Sequence, residues 1–295
     1  METQIPRHAR TALEGKRRNC QRVCVRPLFE RSPARKQPHG GKQRRLLRRR
    51  APELENEKGY AVYGLSRKPY DSGPVIHIPT DVTDASSVRA AVSTVIAGEG
   101  RIDVLVCNAG FGISGAIEFT EPSDAKRQFD VNFFGALHCI QAVLPQMRAQ
   151  HSGCILCVSS VAAVLSIPFQ SFYSAAKASI NALCAALANE VRPYGIRVAA
   201  LMPGDIKTGF TAAREKSFAG KDVYPALPRS VATMEHDEAT GMEPVYIAHK
   251  LFRLSQKRAL KPNYTAGLQY QFFVMLRKFL PYRFINWLVG MLYAK

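Results

Sequence analysis

A short apolar run followed by a long alanine-rich helix pattern is the feature that most restricts the fold. The run ILCV at 155–158 ends in a serine pair, which predicts a buried strand. From Ser174 to Leu187, apolar residues recur every three or four positions, which predicts a helix. A strand, a loop and a helix in this order are typical of α/β folds with a parallel sheet.

Tyr173 and Lys177 begin this helix and stand four residues apart, so they project from one face and can share a ligand. A free phenol titrates near pH ~10, and a nearby ammonium group lowers that pKa toward the working range of a general acid or base. Ser160, at the end of the strand, could hydrogen-bond the same substrate oxygen that Tyr173 protonates. The alternative is a surface Tyr and Lys without a catalytic role.

Further motifs surround this stretch in a fixed order. An Asn-Ala-Gly turn follows the apolar segment 102–107, an asparagine stands in the helical segment 130–135, and a Pro-Gly-x-Ile-x-Thr motif follows a buried strand predicted at 196–202. Together with Ser160 and the Tyr-x-x-x-Lys pair, these motifs resemble the short-chain dehydrogenase/reductase family, in particular its hydroxysteroid and retinol dehydrogenase-like members. The resemblance covers residues 58–295.

The resemblance implies an α/β fold with a doubly wound, Rossmann-like parallel sheet. It also implies a role for each of four residues: Tyr173 exchanges a proton with the substrate, Ser160 holds the substrate oxygen, Lys177 lowers the tyrosine pKa and binds the nicotinamide ribose, and Asn132 anchors a relay water. A buried asparagine that satisfies its own hydrogen bonds would look the same as Asn132 in sequence.

Cofactor contacts are implied along the whole chain. Ser66 and Arg67 follow the predicted strand 60–65, where an acidic residue would favour NAD, so we expect NADP rather than NAD. Asp81 and Val82 are expected beside the adenine ring, whereas Asp84 could simply cap the next helix. The remaining implied contacts are Asn108, Ala109, Gly110, Tyr173, Lys177, Pro203, Gly204, Ile206 and Thr208.

The first 57 residues do not match the family. Residues 1–50 hold sixteen Lys and Arg against three Glu, without apolar periodicity, so we expect residues 1–57 to be disordered. The family's first strand and its glycine-rich phosphate loop are therefore expected to be missing or altered. A basic arm for nucleic acid or an anionic surface is an alternative function for this segment.

A shift of reading frame could explain the missing loop. Permitted codons for His39 to Arg44, read one base forward, spell Thr-Gly-Ala-Ser-Ser-Gly, which is a glycine loop of the family type. We hypothesise that a frameshift or gene-model error replaced the native N-terminal region, and the coding DNA upstream of Glu57 tests this.

Two later segments bear on the substrate. Residues 209–245 are polar, contain Gly and Pro, and are expected to form the substrate lid. Residues 264–295 contain bulky apolar runs, none with the roughly 20 residues that span a bilayer. They could contact a membrane surface or a second subunit of a homo-oligomer, or pack over the substrate pocket.

These observations lead to one preferred function and two rivals. We expect an NAD(P)-dependent oxidoreductase that interconverts an alcohol with a ketone or aldehyde on a small hydrophobic substrate. The seven irregularly spaced cysteines indicate buried thiols in a reducing, cytoplasmic compartment, and no metal site is predicted. The rivals are a non-catalytic protein that does not bind cofactor and a nucleic-acid or anionic-surface binder acting through the basic tail, with nucleic acid the less favoured partner.

Overall fold

The computed structural model describes residues 22–27, 60–68 and 75–294. Within these residues, seven parallel strands form one sheet in the order β3-β2-β1-β4-β6-β7-β9, and β5 pairs with β8 in a small second sheet. The strands are β1 (Arg22–Pro27), β2 (Tyr60–Ser66), β3 (Ile76–Pro79), β4 (Val104–Cys107), β5 (Ile113–Ser114), β6 (Gly153–Val158), β7 (Ile196–Pro203), β8 (Glu215–Lys216) and β9 (Asn263–Ala266).

Helices follow most of these strands, as parallel pairing requires a crossover between neighbours. The helices are α1 (Ala85–Glu99), α2 (Pro122–Phe129), α3 (Gly135–Ala149), α4 (Ser171–Glu190), α5 (Phe210–Ala213), α6 (Leu227–Thr240), α7 (Pro244–Ser255), α8 (Leu268–Leu276) and α9 (Tyr282–Tyr293). A single π-helical turn, Asp130–Phe134, joins α2 to α3.

Both faces of the sheet are buried, which explains the unbroken apolar runs in the sequence. Along β6, Ile155 and Cys157 pack in the core beneath α1, α3 and α4, whereas Cys154 and Leu156 pack on the opposite face beneath α7. Five cysteines, Cys107, Cys139, Cys154, Cys157 and Cys184, are free and buried. The predicted α/β class and doubly wound parallel sheet are confirmed.

The first strand corrects the sequence analysis. Arg22–Pro27 pairs in parallel with Tyr60–Leu65 on one side and with β4 on the other, so the central position of the sheet is filled. Residues 22–27 are therefore not disordered, because alternating valine and cysteine favour a strand despite the flanking arginines. The rest of segment 1–57, including the expected glycine-loop position at 39–44, lies outside the described residues.

The strand order places a crevice at one edge of the sheet. The chain runs outward from β1 through β2 to β3, then restarts at β4 on the other side of β1 and continues to β6 and β7. Ligands of open α/β sheets bind where the direction reverses, outside the carboxyl ends of the strands. The turns after β2, β3, β4, β6 and β7 are therefore the segments that position a site.

Candidate active site

Two cavities lie along this carboxyl edge, with volumes of about 420 and about 260 Å³. They share Gly110 in the turn after β4, and together they contain every predicted site residue except Asn132. The larger is lined by Asn108, Gly110, Ser160, Tyr173, Lys177, Pro203, Gly204, Ile206 and Thr208. The smaller is lined by Arg67, Asp81, Val82, Ala109 and Gly110.

Lys177 is held under the Tyr173 ring at the inner end of the larger cavity. Its ammonium nitrogen lies 5.6 Å from the ring centre and donates a 2.8 Å hydrogen bond to the carbonyl oxygen of Val158. Lys177 is only 5% exposed. Burial lowers its pKa to about 8, and the nearby thiols of Cys157 and Cys107 oppose that shift.

The protonation of Tyr173 differs from the prediction. Burial, followed by the negative charges of Glu238 and Asp205, raises the pKa of the phenol above its usual value. A hydrogen bond with Ser160 acts in the opposite direction without reversing the shift. The expected lowering of the Tyr173 pKa by Lys177 is not found. Removing a phenolate from water destabilises it by more than the neighbouring groups stabilise it. The phenol is therefore neutral and able to donate a proton.

Ser160 is oriented by the turn that follows β6. Its hydroxyl oxygen accepts a 3.1 Å hydrogen bond from the backbone N–H of Ala162. The hydroxyl proton remains able to point toward a substrate oxygen in the same cavity. Strand end and helix thus place the Ser160 hydroxyl and the Tyr173 phenol on one cavity wall.

Asn132 does not line either cavity with its side chain. It is 1% exposed in the π-helical turn, where its Oδ1 accepts from the Phe111 N–H at 3.0 Å and its Nδ2 donates to the Phe111 carbonyl at 2.9 Å. The amide is thus satisfied by the main chain beyond the Asn-Ala-Gly turn. The side chain has the hydrogen bonds of the self-satisfied asparagine considered as the alternative, and the role of Asn132 in anchoring a relay water stays a prediction.

The Asn-Ala-Gly turn needs its small residues. A Cβ on Gly110 would lie 3.1 Å from Asn132 Oδ1 and 3.5 Å from Lys177 Nζ. Asn108 is 4% exposed and its Nδ2 has no hydrogen-bond partner among the described residues. An unsatisfied buried donor at a cavity wall indicates a place for a ligand acceptor.

The smaller cavity has the chemistry of a nucleotide site. Ser66 is the last residue of β2 and Arg67 follows it. Asp81 follows β3, and its carboxylate accepts hydrogen bonds from the N–H and the hydroxyl of Thr83 at 2.9 and 2.7 Å. Asp84 caps α1 by accepting from the N–H of Ser86 at 2.8 Å, which confirms the alternative considered for it. A dinucleotide fits the two adjoining cavities, which meet at Gly110.

The structure adds functional candidates that the motif analysis missed. Asp205 lines the larger cavity and accepts a 2.5 Å hydrogen bond from the Tyr270 hydroxyl of α8. Burial is the main cause of the raised pKa of Asp205. Glu238 of α6 pairs with the fully buried Arg214, and also accepts a 2.5 Å hydrogen bond from Thr211. Asp205 occupies the variable position of the Pro-Gly-x-Ile motif. A carboxylate at this position was the feature of the sequence that could have identified it as a site residue.

Most of the larger cavity is apolar. Its outer wall is built by α6 and by the C-terminal helices. For the C-terminal segment, the sequence left open whether it packs over the pocket or forms an exposed contact surface. The apolar lining residues include Leu165, Ile167, Met234, Phe273, Ile285 and Leu288. Such a wall suits an apolar substrate with few polar groups.

The described part of the chain contains no cluster of three or more His, Cys, Asp or Glu side chains suited to a metal ion. In the same residues, no helix has the length and apolar content needed to cross a membrane.

Comparison with known proteins agrees with this architecture. Residues 55–218 match the family model for short chain dehydrogenases. The chain is 41% identical over 196 residues to the 3-ketodihydrosphingosine reductase of Bacteroides thetaiotaomicron, covering 65% of this chain and 73% of that protein. It is 33% identical over 196 residues to rat estradiol 17-beta-dehydrogenase 1, covering 62% of this chain and 55% of that protein.

Solved structures give the same result. A short-chain dehydrogenase from Streptomyces avermitilis superimposes with a TM-score of 0.70 at 27% identity, covering 77% of this chain and 86% of that one. The NADP-bound structure of ElxO shares the fold with a TM-score of 0.64 at 19% identity, covering 85% of this chain and 98% of that one. The match over more than half of the sequence and the arrangement of strands lead to one conclusion: the chain is an oxidoreductase of the short-chain dehydrogenase/reductase family.

Proposed function

We propose that this protein uses NADPH to reduce the ketone of a long-chain substrate that carries an amine beside the carbonyl. The observation that carries the proposal is the neutral Tyr173 phenol beside Ser160 at the inner end of a largely apolar cavity. A protonated phenol is the form that reduction requires, because the carbonyl oxygen needs a proton as it becomes an alcohol.

Each residue then has a defined task. Ser160 donates a hydrogen bond to the substrate carbonyl oxygen, and Tyr173 donates its proton to the same oxygen. Lys177 binds the nicotinamide ribose and stabilises the phenolate left behind. When bound, the reduced nicotinamide supplies the hydride for the carbonyl carbon, while the protein supplies orientation and electrostatics.

The proposed preference for NADP rests on the turn after β2. Ser66 and Arg67 line the smaller cavity, where a 2′-phosphate can accept hydrogen bonds from the guanidinium. Neither Ser66 nor Arg67 offers a carboxylate to hold the ribose 2′-hydroxyl of NAD. Asp81, which follows the next strand, is held by Thr83 and lies at the adenine side.

The proposed amine rests on Asp205. This carboxylate lines a largely apolar cavity, and Arg214, the cation that acts on its pKa, forms its ion pair with Glu238 instead. A substrate ammonium would supply the missing positive charge, because a buried carboxylate is stabilised by a partner of opposite charge. 3-Ketodihydrosphingosine, the compound named for the Bacteroides relative, has an amine next to its ketone and a long alkyl chain that the apolar wall would accommodate.

Oxidation of NADPH by the purified full chain tests the proposal. We expect turnover with 3-ketodihydrosphingosine, weaker turnover with a long-chain ketone lacking the amine, and little with steroid ketones. NADPH binding is measured separately by thermal shift. Absence of NADPH binding would support the non-catalytic alternative, and binding with turnover confined to steroid ketones would contradict the proposed substrate.

A further inference from the structure

We propose that the C-terminal helices dock on an anionic phospholipid surface, with the substrate cavity opening toward it. The docking face comprises the exposed apolar side chains of α8, of the turn after it and of α9: Leu268, Phe272, Phe273, Met275, Phe279, Tyr282, Phe284, Trp287 and Leu292.

The apolar exposure of this face is unusual for a folded protein. Leu268 is 83% exposed, Phe279 76% and Trp287 53%. On α9 only Ile285 is buried. Single exposed apolar residues are ordinary, but a contiguous series of large ones marks a surface that meets another apolar phase.

The positive charge of the same segment favours an anionic surface as the partner of the docking face. After Glu243 the sequence contains no Asp or Glu, whereas it contains nine Lys and Arg. Arg277 and Lys278, in the turn after α8, and Arg283, in the first turn of α9, are exposed and lie between the apolar residues of the docking face in sequence. Basic residues interleaved with aromatic and aliphatic ones are typical of helices that lie in the headgroup region of a bilayer.

A second copy of the chain fits this face less well. In a two-fold contact through α8 and α9, both copies would present Arg277, Lys278 and Arg283 at the interface, and the segment offers no Asp or Glu to compensate. A lipid surface supplies the negative charge in its headgroups and the apolar phase beneath them.

The lengths of the two helices indicate that they lie at the membrane–water interface and do not span the bilayer. The helix α8 has 9 residues and α9 has 12, whereas a spanning helix needs about 20 apolar residues. We therefore place both helices parallel to the membrane plane.

The docking face is continuous with the substrate cavity. Phe273 and Leu292 belong to both, being 47% and 65% exposed while also lining the cavity. The inner side of α9, at Ile285, Leu288 and Val289, forms the apolar wall. A long-chain substrate could thus pass from the bilayer into the cavity without crossing water.

Trp287 makes the proposal measurable, because it is the single tryptophan of the sequence. The sixteen basic residues in 1–50 would carry the full chain onto anionic vesicles regardless of α9, so sedimentation alone decides nothing. The emission of Trp287 and its quenching by brominated acyl chains report whether α9 itself enters the lipid.

The experiment uses the full chain with vesicles of phosphatidylcholine, with and without phosphatidylserine. We expect a blue shift and bromine quenching of Trp287 only with phosphatidylserine. In the variant Arg277→Gln/Lys278→Gln/Arg283→Gln, the basic residues of 1–50 still bring the chain to the vesicle. The equilibrium constant for insertion of α9, read from the ratio of quenched to unquenched Trp287 at saturating vesicles, should fall about 100-fold, at about fivefold per basic residue. The control Arg89→Gln/Lys126→Gln/Arg148→Gln removes the same charge from exposed positions on α1, α2 and α3 and should behave as the wild type.

A second variant, Leu268→Ser/Phe279→Ser, tests the apolar contribution and should reduce the quenching, with circular dichroism and thermal unfolding checking the fold. No emission shift with any vesicle would overturn the proposal. So would a shift that occurs without vesicles and grows with protein concentration alongside dimer mass, which would assign the face to a second copy. Vesicle binding is measured without substrate, so its outcome is independent of the reaction proposed above.

Discussion

Lys177 donates a hydrogen bond to the carbonyl oxygen of Val158, and the Ser159 hydroxyl donates one back to the carbonyl of Lys177, at 2.8 and 3.0 Å. The end of β6 is thereby tied to the first turns of α4 through both the side chain and the backbone of one residue. Buried hydrogen bonds to a charged group are short and costly to lose, so this pair fixes the helix against the sheet. Because Tyr173 lies on the same helix, this contact also fixes the position of its phenol.

Replacing Tyr173 with Phe should lower kcat by about 10²–10⁴-fold, because the substrate oxygen loses its proton donor. Steady-state kinetics with NADPH measures the loss, and the thermal unfolding midpoint should change little. The control Tyr194→Phe alters a tyrosine outside both cavities, and should keep full activity. Wild-type turnover in Tyr173→Phe would remove the assigned role.

Lys177→Met should change how stability depends on pH. The pKa of Lys177 is about 8 in the folded protein against an ordinary 10.5. Between these values the unfolded chain binds more protons, so the free energy of unfolding rises with pH. The wild type should therefore gain about 3 kcal/mol relative to Lys177→Met across this window, at about 1.4 kcal/mol per pH unit.

Urea unfolding of both proteins, taken at steps from pH 7 to 10.5, measures this difference. Tyrosine and cysteine ionisation is common to the two proteins and largely cancels. A constant difference across the window would mean that Lys177 keeps its ordinary pKa when folded, and the account of its burial would then be wrong.

Asp205→Asn should raise KM for the amino ketone by about tenfold to 100-fold, since a charge-assisted hydrogen bond contributes about 1.5–3 kcal/mol. Turnover of a long-chain ketone without the amine should hardly change, because the substituted amide has the size of the carboxylate but no charge. The matched control Asp222→Asn removes a carboxylate from an exposed turn position. Equal losses for both ketones would indicate that Asp205 acts only through its contact with Tyr270.

Arg67→Gln should raise KM for NADPH by about tenfold to 100-fold while leaving KM for NADH nearly unchanged. Only NADPH carries the 2′-phosphate that the guanidinium is proposed to bind. Arg148→Gln, at an exposed position at the end of α3, is the control for general loss of positive charge. A parallel loss for both cofactors would contradict the proposed NADP preference.

The sequence predicted the elements that depend on local pattern. The strands β2, β4, β6 and β7 and the helix carrying Tyr173 all appear within a few residues of their expected bounds. The first strand was missed because its six residues sit among arginines, and apolar periodicity is too weak there to reveal it. Only its pairing with β2 and β4 identifies it.

The candidate site divides in the same way. The residues that share it follow from motif spacing, since turns after parallel strands meet at one edge of the sheet. The tertiary structure decided what those residues can do. Burial makes Tyr173 a neutral acid and depresses the pKa of Lys177, and backbone groups of Phe111 occupy Asn132. The approach of Tyr270 to Asp205, sixty-five residues earlier, follows from packing alone, because desolvation and long-range contacts are properties of the folded chain.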